Sequence, residues 1–201
     1  MIAVIDYDAG NINSVIKALE YLGEKPVLTR DSDTLLKADH VILPGVGAFG
    51  DAMEKLNSYE LVPVIKEIVD KGTPFLGICL GLQLLFEESE ESEGVSGLGL
   101  LKGKIIKFPT DLGYKVPQIG WNSLHFDNPG KLFKGIDEGA YVYFVHSYYL
   151  KAEEPEIVTA SADYAAHLHA SVEKDNVFGC QFHPEKSSDV GLKILENFVR
   201  L

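Results

Sequence analysis

The chain is poor in cysteine, methionine and tryptophan, and it carries fewer basic than acidic residues. Its 201 residues include 2 Cys, 2 Met and 1 Trp. Two cysteines are too few for the disulfide framework of a small secreted domain, so we expect reduced thiols and a cytoplasmic location. Lys plus Arg number 18 against 30 Asp plus Glu, a net charge of -12. Because binding to nucleic acid or to an anionic membrane depends on positive charge, both functions are disfavoured.

The sequence also lacks a long apolar run, a targeting segment and an internal repeat. The first apolar run, residues 2–5, ends at Asp6 and is too short for a signal-peptide core. The longest apolar stretch, residues 74–86, contains Gln83 and is too short to span a bilayer. The only biased segment, residues 87–93, is acidic and typical of a solvated helix end or loop. We therefore expect a soluble protein with one domain over residues 1–201.

Short apolar segments alternate with helical patterns in the first half of the chain. Buried parallel strands are predicted at residues 2–5, 26–28, 41–43 and 75–78. Helices are predicted from residue 12 to 22, around 61–68, and from 80 to 86. Later segments are β-rich, with strands predicted at 105–108, 123–126, 141–145, 157–160 and on both sides of residues 175–176, before a closing helix around 190–198. This pattern predicts an open, mostly parallel α/β sheet flanked by helices, with an antiparallel extension.

The strongest local signal is the sequence Gly77-Ile78-Cys79-Leu80-Gly81, between an apolar strand and a helix. This is the nucleophile-elbow arrangement, with cysteine in the place of serine. The central residue of such a turn has a strained backbone, and the two glycines let the neighbouring backbones pass. Cys79 would lie at a helix N-terminus, which favours the thiolate, while the Leu80 N–H would point toward an oxyanion. The alternative for Cys79 is a buried structural cysteine.

A cysteine nucleophile needs a base, and among six histidines only His183 has a carboxylate built into its local sequence. Pro184 favours an extended backbone at His183, and residues two apart on an extended chain point to the same side. Glu185 could then bind one imidazole nitrogen and leave the other for Cys79, as in a triad. A zinc site is the competing use of these residues, but the ligand spacings of zinc sites are absent. Cys180 is most simply a core residue.

Together these motifs resemble the class I, triad-type glutamine amidotransferases over essentially the whole chain. The segments that carry the resemblance are residues 44–47, 77–81 and 183–185. Within that family, residues 5–11, 44–49, 120–122, 146–148 and 182–187 resemble the glutaminase subunits of imidazole glycerol phosphate synthase. The departure is Asp8, where the family usually has glycine. The resemblance implies a flavodoxin-like fold, and we expect no metal and no cofactor.

The resemblance further implies the hydrolysis of L-glutamine to glutamate and ammonia. Cys79 would attack the side-chain amide, His183 would transfer the proton, and Glu185 would orient the imidazole. The residues implied for the oxyanion hole are Leu80, Val46 and Gly47. Those implied for glutamine binding are Gln83, Glu91, and the backbone of Ser147 and Tyr148. Gln83 lies one helical turn after Cys79, which independently puts it near the nucleophile.

The chain has no room for a second substrate domain and no phosphate-binding glycine loop, so another polypeptide must consume the ammonia. The resemblance names this partner as the cyclase subunit HisF, a (β/α)8 barrel, in a heterodimer of histidine biosynthesis. It assigns Asn11, Trp121 and Lys186 to the interface. The alternative within the family is the glutaminase subunit of anthranilate or aminodeoxychorismate synthase. Outside the family, the alternatives are another cysteine hydrolase and a catalytically silent binding subunit.

Overall fold

The computed structural model describes residues 1–126 and 128–201. The strands are β1 (Ile2–Ile5), β2 (Val27–Thr29), β3 (His40–Leu43), β4 (Phe75–Ile78), β5 (Glu88–Ser89), β6 (Gly103–Lys107), β7 (Gln118–Ser123), β8 (Tyr141–His146), β9 (Tyr148–Ala152), β10 (Val158–Asp163), β11 (His167–Lys174) and β12 (Val177–Cys180). The helices are α1 (Ile12–Tyr21), α2 (Ser32–Leu36), α3 (Phe49–Ser58), α4 (Leu61–Asp70), α5 (Leu80–Leu84) and α6 (Ser188–Val199). Across this described part of the chain, no helix has both the length and the apolar character needed to cross a membrane.

Seven strands form the main sheet, in the order β10-β11-β12-β4-β3-β1-β2. The five strands from β12 to β2 pair in parallel, whereas β10 and β11 extend the sheet in antiparallel pairing beyond β12. The predicted open, mostly parallel sheet with an antiparallel extension is therefore confirmed. The carboxyl ends of β3, β4 and β12 meet at one edge, which is where ligands bind in open α/β sheets.

Alternate residues of the central strands pack against helices on the two faces of the sheet. In β1, Ile2 and Val4 pack in the same apolar cluster as α1 and α6, whereas Ala3 and Ile5 pack in the cluster that contains α3 and α4. All four side chains are buried. A strand buried on both faces reads as a continuous apolar run, which is why the sequence predicted this part of the sheet correctly.

In the later, β-rich half, two strands differ from the prediction. The strand predicted at 123–126 is wrong, because β7 spans Gln118–Ser123 and shares only Ser123 with it. Two of its large apolar side chains, Ile119 and Trp121, are 63% and 52% exposed, so the apolar pattern of this strand does not mark a buried face. The strand β9 was not predicted at all.

Two further features of the first half differ from the prediction. The helix predicted around residues 61–68 is confirmed as α4, but α3 before it was not predicted. The two helices are separated at Glu60, whose φ of 56° is left-handed. The acidic run contains β5 followed by turns, and it is not only a solvated segment. The carboxylates of Glu90 and Glu91 accept hydrogen bonds from the backbone N–H groups of Lys107 and Phe49 at 2.8 and 2.9 Å.

Asp8 adopts the left-handed conformation, with a φ of 60°. Glycine is usual at such a position, and aspartate is one of the few other residues that tolerate it. The Asp8 carboxylate accepts hydrogen bonds from Arg30, at 2.6 Å, and from Tyr59, while its carbonyl accepts one from Lys55 Nζ at 3.0 Å. These contacts hold Asp8 in its left-handed conformation.

Candidate active site

Cys79 lies in a strained turn between β4 and α5, with φ 54° and ψ -107°. Its backbone N–H donates to the Cys180 carbonyl at 2.7 Å, which joins the turn to the end of β12. A methyl group on Gly81 would lie 1.9 Å from the Leu43 oxygen, and one on Gly77 would lie 2.6 Å from the Gly81 backbone. Both distances are shorter than any tolerable contact, so the predicted need for glycine on both sides of the nucleophile is confirmed.

His183 and Glu185 form a buried pair directly after β12. His183 Nδ1 donates to Glu185 Oε1 at 2.8 Å, and the two side chains are 2% and 1% exposed. The expected contact is present, but its stereochemical basis differs from the prediction. Glu185 lies in a short 3-10 turn, Pro184–Lys186, whereas we expected an extended chain. The turn brings the carboxylate back beneath the imidazole.

The His183 imidazole is surrounded by groups that favour its protonated form. Burial lowers its pKa, but the neighbouring Cys79 and Glu185 side chains outweigh burial and raise the pKa to about 10. Among the described residues, Nε2 has no hydrogen bond of good geometry. The Cys79 thiol is nonetheless close enough to raise the pKa of this ring. A protonated imidazole beside the sulfur is the arrangement that favours a thiolate nucleophile.

Cys180 has the opposite environment. Its side chain is completely buried in the apolar cluster below the sheet edge. Burial, followed by the negative charges of Glu185 and Cys79, raises the pKa of the Cys180 thiol well above its usual value. Cys180 therefore remains a neutral thiol and is a core residue, as expected.

The three residues predicted for the oxyanion hole lie beside Cys79, but the hole is not open in this conformation. The Leu80 N–H donates to the Gly45 carbonyl at 3.3 Å, so this donor is occupied. Gly47 has a φ of 111°, and Val46 between the two glycines is 37% exposed.

A cavity of about 290 Å³ opens beside the sulfur. Its walls include all four residues predicted to bind glutamine, together with parts of the oxyanion loop: Gln83, Glu91, Ser147, Tyr148, Val46 and Gly47. Ligand cavities commonly measure roughly 300–1,000 Å³, so this one suits a small molecule. The half-buried Glu91 also accepts from the N–H of Phe49, which fixes one carboxylate oxygen at the start of α3.

From the sequence, we assigned no role in the site to three side chains that contact it. Tyr7 donates to the Pro44 carbonyl at 2.8 Å and supports the oxyanion loop. His146 Nδ1 donates to the Tyr148 carbonyl at 2.7 Å, and burial lowers the pKa of His146 to about 4, so its ring is neutral. Gln181 Nε2 lies 3.8 Å from Cys79 Sγ.

Gln181 could have been found from the sequence. It lies two positions before His183, and alternate residues of an extended segment share a side. The reasoning that we applied to Glu185 therefore applies better to Gln181, which directly follows β12. Tyr7 and His146 have no comparable local signal, because their contacts with the site depend on how distant segments pack.

The residues predicted at a partner interface are all exposed and lie near the triad. Asn11 Nδ2 donates to Glu185 Oε1 at 3.2 Å, and Lys186 belongs to the same turn as Glu185. Trp121 packs edge to face on Tyr143, with ring centroids 6.1 Å apart, and the Tyr143 carbonyl accepts from the His183 N–H at 2.9 Å.

Comparison with known proteins supports one family. The family described as Glutamine amidotransferase class-I matches residues 3–201. The imidazole glycerol phosphate synthase subunit HisH of Bacillus cereus (strain G9842) is 52% identical over 198 residues, covering 98% of this chain and 93% of the relative. The HisH subunit of Methanocaldococcus jannaschii is 51% identical over 201 residues, covering all of both chains. A crystal structure of a glutamine amidotransferase shares the fold with a TM-score of 0.76 at 19% identity, covering 99% of this chain and 100% of that one.

Proposed function

The chain belongs to the class I glutamine amidotransferase family, alongside the HisH subunits of imidazole glycerol phosphate synthase, and from this membership we propose how it works. It is a glutaminase subunit that releases ammonia from L-glutamine for use by the synthase. The observation that carries the proposal is the strained Cys79 elbow, with the buried His183–Glu185 pair on one side and a small cavity on the other.

The proposed reaction has two acyl-transfer steps. Cys79 Sγ attacks the side-chain amide carbon of glutamine, and His183 carries the thiol proton to the departing nitrogen, which leaves as ammonia. A glutamyl thioester remains on Cys79. Water then attacks the thioester carbonyl while His183 accepts its proton, and the C–S bond breaks to give glutamate and the free nucleophile. Glu185 stays ionised throughout, because its role is to orient and stabilise the imidazolium.

Both tetrahedral intermediates carry an oxyanion that needs N–H donors. The proposed donors are the Leu80 N–H and an N–H of the Val46–Gly47 segment. Since the Leu80 N–H donates to Gly45 in the resting conformation, the isolated subunit should hydrolyse glutamine slowly. Rotation of the loop peptide would release this donor, and we propose that the synthase partner drives that rotation.

The proposed glutamine site has chemically distinct ends. Glu91, in the cavity wall, is an anionic partner for the α-ammonium group of the substrate, and the side-chain amide would lie near Cys79. Gln83 and the backbone at Ser147 and Tyr148 supply hydrogen bonds between these ends. This assignment is supported by the lining of the cavity, which contains all four residues.

The proposed partner is the cyclase subunit, a (β/α)8 barrel, bound as a heterodimer. The proposed docking face is the surface around Asn11, Trp121 and Lys186. Exposed aromatic and apolar side chains support this assignment, among them Ile119 and Tyr141, which are 63% and 59% exposed. Tryptophan and tyrosine are enriched at interface hot spots. The net charge of -12 favours a partner face rich in Lys and Arg.

The decisive assay measures glutamate release by the purified chain, with and without the cyclase and its nucleotide ligand. We expect slow release alone, acceleration by the liganded cyclase, and no release by Cys79→Ala. Release from glutamine by neither preparation would indicate a silent binding subunit. Activation by the partner subunit of anthranilate or aminodeoxychorismate synthase, and not by the cyclase, would show that the chain is the glutaminase subunit of that enzyme.

A further inference from the structure

Gln181 is a completely buried polar residue at the end of the strand that leads to the catalytic base. It directly follows β12, and its side chain is 0% exposed. Its backbone N–H donates to the Ala170 carbonyl at 2.9 Å, which fixes the residue against β11. A buried amide needs hydrogen-bond partners for both its oxygen and its nitrogen, so the identity of those partners indicates what the side chain does.

The orientation of the Gln181 amide follows from a chain of hydrogen bonds that begins at the Tyr148 carbonyl. This carbonyl can only accept, so Gln83 presents its NH2 group to it, at 3.1 Å. The same NH2 group lies 3.1 Å from Gln181 Oε1 and donates to it. The reversed Gln181 amide would set two NH2 groups against each other. Gln181 therefore presents its own NH2 group to Cys79 Sγ, at 3.8 Å.

The sulfur thus has two neighbours of opposite character. The Val145 carbonyl lies 3.9 Å from Sγ and can accept a hydrogen bond from the neutral thiol. Gln181 can only donate toward Sγ, so its contact strengthens when the sulfur is charged, because hydrogen bonds to ionised groups are the stronger ones. Loss of the thiol proton therefore shifts the favourable contact of the sulfur from Val145 to Gln181.

We propose that Gln181 is a catalytic residue of the glutaminase, which stabilises the Cys79 thiolate through its side-chain N–H. The orientation of its amide is fixed by Gln83, a residue of the glutamine cavity. The inference rests on the proposed function for its role in turnover, but the contact with the sulfur exists without substrate. It can therefore be tested without glutamine hydrolysis.

The test is the pH dependence of Cys79 alkylation by iodoacetamide, followed by mass spectrometry of the labelled peptide. Gln181→Met keeps the length of the side chain and removes the amide. We expect the half-maximal pH of alkylation to rise by about one unit, which is a tenfold loss of thiolate and corresponds to about 1.4 kcal/mol. Gln181→Glu replaces the donor by a carboxylate and should raise the half-maximal pH further.

Other titratable groups face the sulfur and must stay constant across the comparison. They are His183 and, behind it, Glu185 after β12, Tyr7 after β1, Cys180 at the end of β12, and Glu91, His146 and Tyr148 in the cavity wall. All are retained in both variants. A difference in half-maximal pH between the variants and the wild-type chain therefore reports on the Gln181 side chain.

Gln118→Met is the matched control. Gln118 is also a buried glutamine, 3% exposed, but it lies on β7, which pairs with β8, and among the described residues it makes no hydrogen bond to the sulfur. We expect this substitution to leave the half-maximal pH unchanged. If Gln181→Met also left it unchanged while the protein stayed folded, the proposal would be wrong.

A second variant covers the case in which Gln181→Met does not fold. Gln181→Asn keeps a buried amide but withdraws it from the sulfur by one methylene group, and it should raise the half-maximal pH in the same direction. In Gln181→Met and in Gln181→Asn, kcat for glutamine should fall by a larger factor than KM rises, because the lost contact is with the nucleophile. A KM effect alone would assign Gln181 to substrate binding and overturn the proposal.

Discussion

Asn11 donates a hydrogen bond from Nδ2 to Oε1 of Glu185 at 3.2 Å, and the same oxygen accepts from His183 Nδ1 at 2.8 Å. Asn11 is exposed and sits in a left-handed turn with a φ of 63°. One side chain on the proposed docking face therefore touches the buried carboxylate of the triad. A partner that moves Asn11 would change the support of the catalytic base.

Replacing Asn11 should moderately slow glutamine hydrolysis by the isolated subunit. We expect Asn11→Ala to lower kcat about fivefold, since an ordinary hydrogen bond contributes about 1 kcal/mol. Ser14→Ala is the control, because Ser14 Oγ donates to Asn11 Oδ1 at 2.9 Å and does not touch Glu185. Steady-state glutamate release measures both variants. Equal losses in the two would attribute the effect to the conformation of the turn and not to contact with Glu185.

The two cysteines should behave in opposite ways. Cys79→Ala is expected to abolish glutamine hydrolysis while leaving the synthase complex able to use free ammonia. Cys180→Ser should keep hydrolysis, because Cys180 is a buried neutral thiol. Labelling with an electrophilic glutamine analogue, followed by peptide mapping, checks the assignment. Modification of Cys180 with Cys79 spared would refute the mechanism.

His183 and Glu185 should contribute unequally to the rate of glutamine hydrolysis. His183→Ala removes the group that transfers protons, and we expect kcat to fall by several orders of magnitude. Glu185→Gln retains a hydrogen-bond acceptor for Nδ1 and should cost less, as in other triads. Single-turnover measurements with glutamine distinguish the two. Full activity in His183→Ala would assign the base to another histidine, such as His146.

The raised pKa of His183 predicts a pH dependence of the stability of the folded chain. An unfolded histidine has a pKa of about 6.5, whereas His183 in the folded chain has one of about 10. The protonated ring thus contributes stability that is complete below about pH 6.5 and is lost as the pH rises through about 10. Cys79→Ala removes one of the groups that raise this pKa.

In Cys79→Ala, the His183 imidazole should therefore titrate at a lower pH than in the wild-type chain. Its ring resonances, followed by NMR between pH 6 and 10, measure this directly. Cys180→Ser is the control and should not change the pH at which His183 titrates. An unchanged titration in Cys79→Ala would mean that Glu185 alone holds the proton on His183.

Gly47 offers a test of the loop that must open the oxyanion hole. A side chain at its φ of 111° is strained, although no atom of the described residues lies within 4 Å of the position that a Cβ would take. We expect Gly47→Ala to destabilise the resting loop, raise the basal rate up to about tenfold and lower the activation by the cyclase, since strain of about 1.4 kcal/mol corresponds to that factor.

Gly23→Ala provides the matched control for this substitution. Gly23 also has a positive φ, 87°, and open space around it, but it lies at the end of α1. It should lower stability without changing the ratio of activated to basal rate. For comparison, a hundredfold activation by the partner requires about 2.7 kcal/mol of preferential binding to the open loop. Equal activation ratios in wild type and Gly47→Ala would exclude this loop as the switch.

The sequence predicted the parallel half of the sheet because burial on both faces leaves an unbroken apolar run, as in Phe75–Ile78. It predicted the elbow because glycine is required on steric grounds, and the 1.9 Å approach at Gly81 shows how severe that requirement is. Each of these signals is local. They can therefore be read from a short window of sequence.

The failures have non-local causes. β7 presents Ile119 and Trp121 to the outside, so its apolar residues do not mark a buried face. The hydrogen bond between Leu80 and Gly45 joins the turns after β4 and β3, and neither turn alone reveals it. Tyr7 lies 37 positions from Pro44, whose carbonyl accepts its hydrogen bond. Such contacts depend on strand order, which local patterns do not encode.

The place of β12 in the sheet has a consequence for the timing of activity during synthesis. β12 inserts between β4 and β11, and the segment that follows it supplies both Gln181 and the base. A ribosome-bound chain that has produced only residues 1–150 contains Cys79 but lacks these partners. Because so distant a pairing forms late in folding, an unfinished chain cannot consume the cell's glutamine.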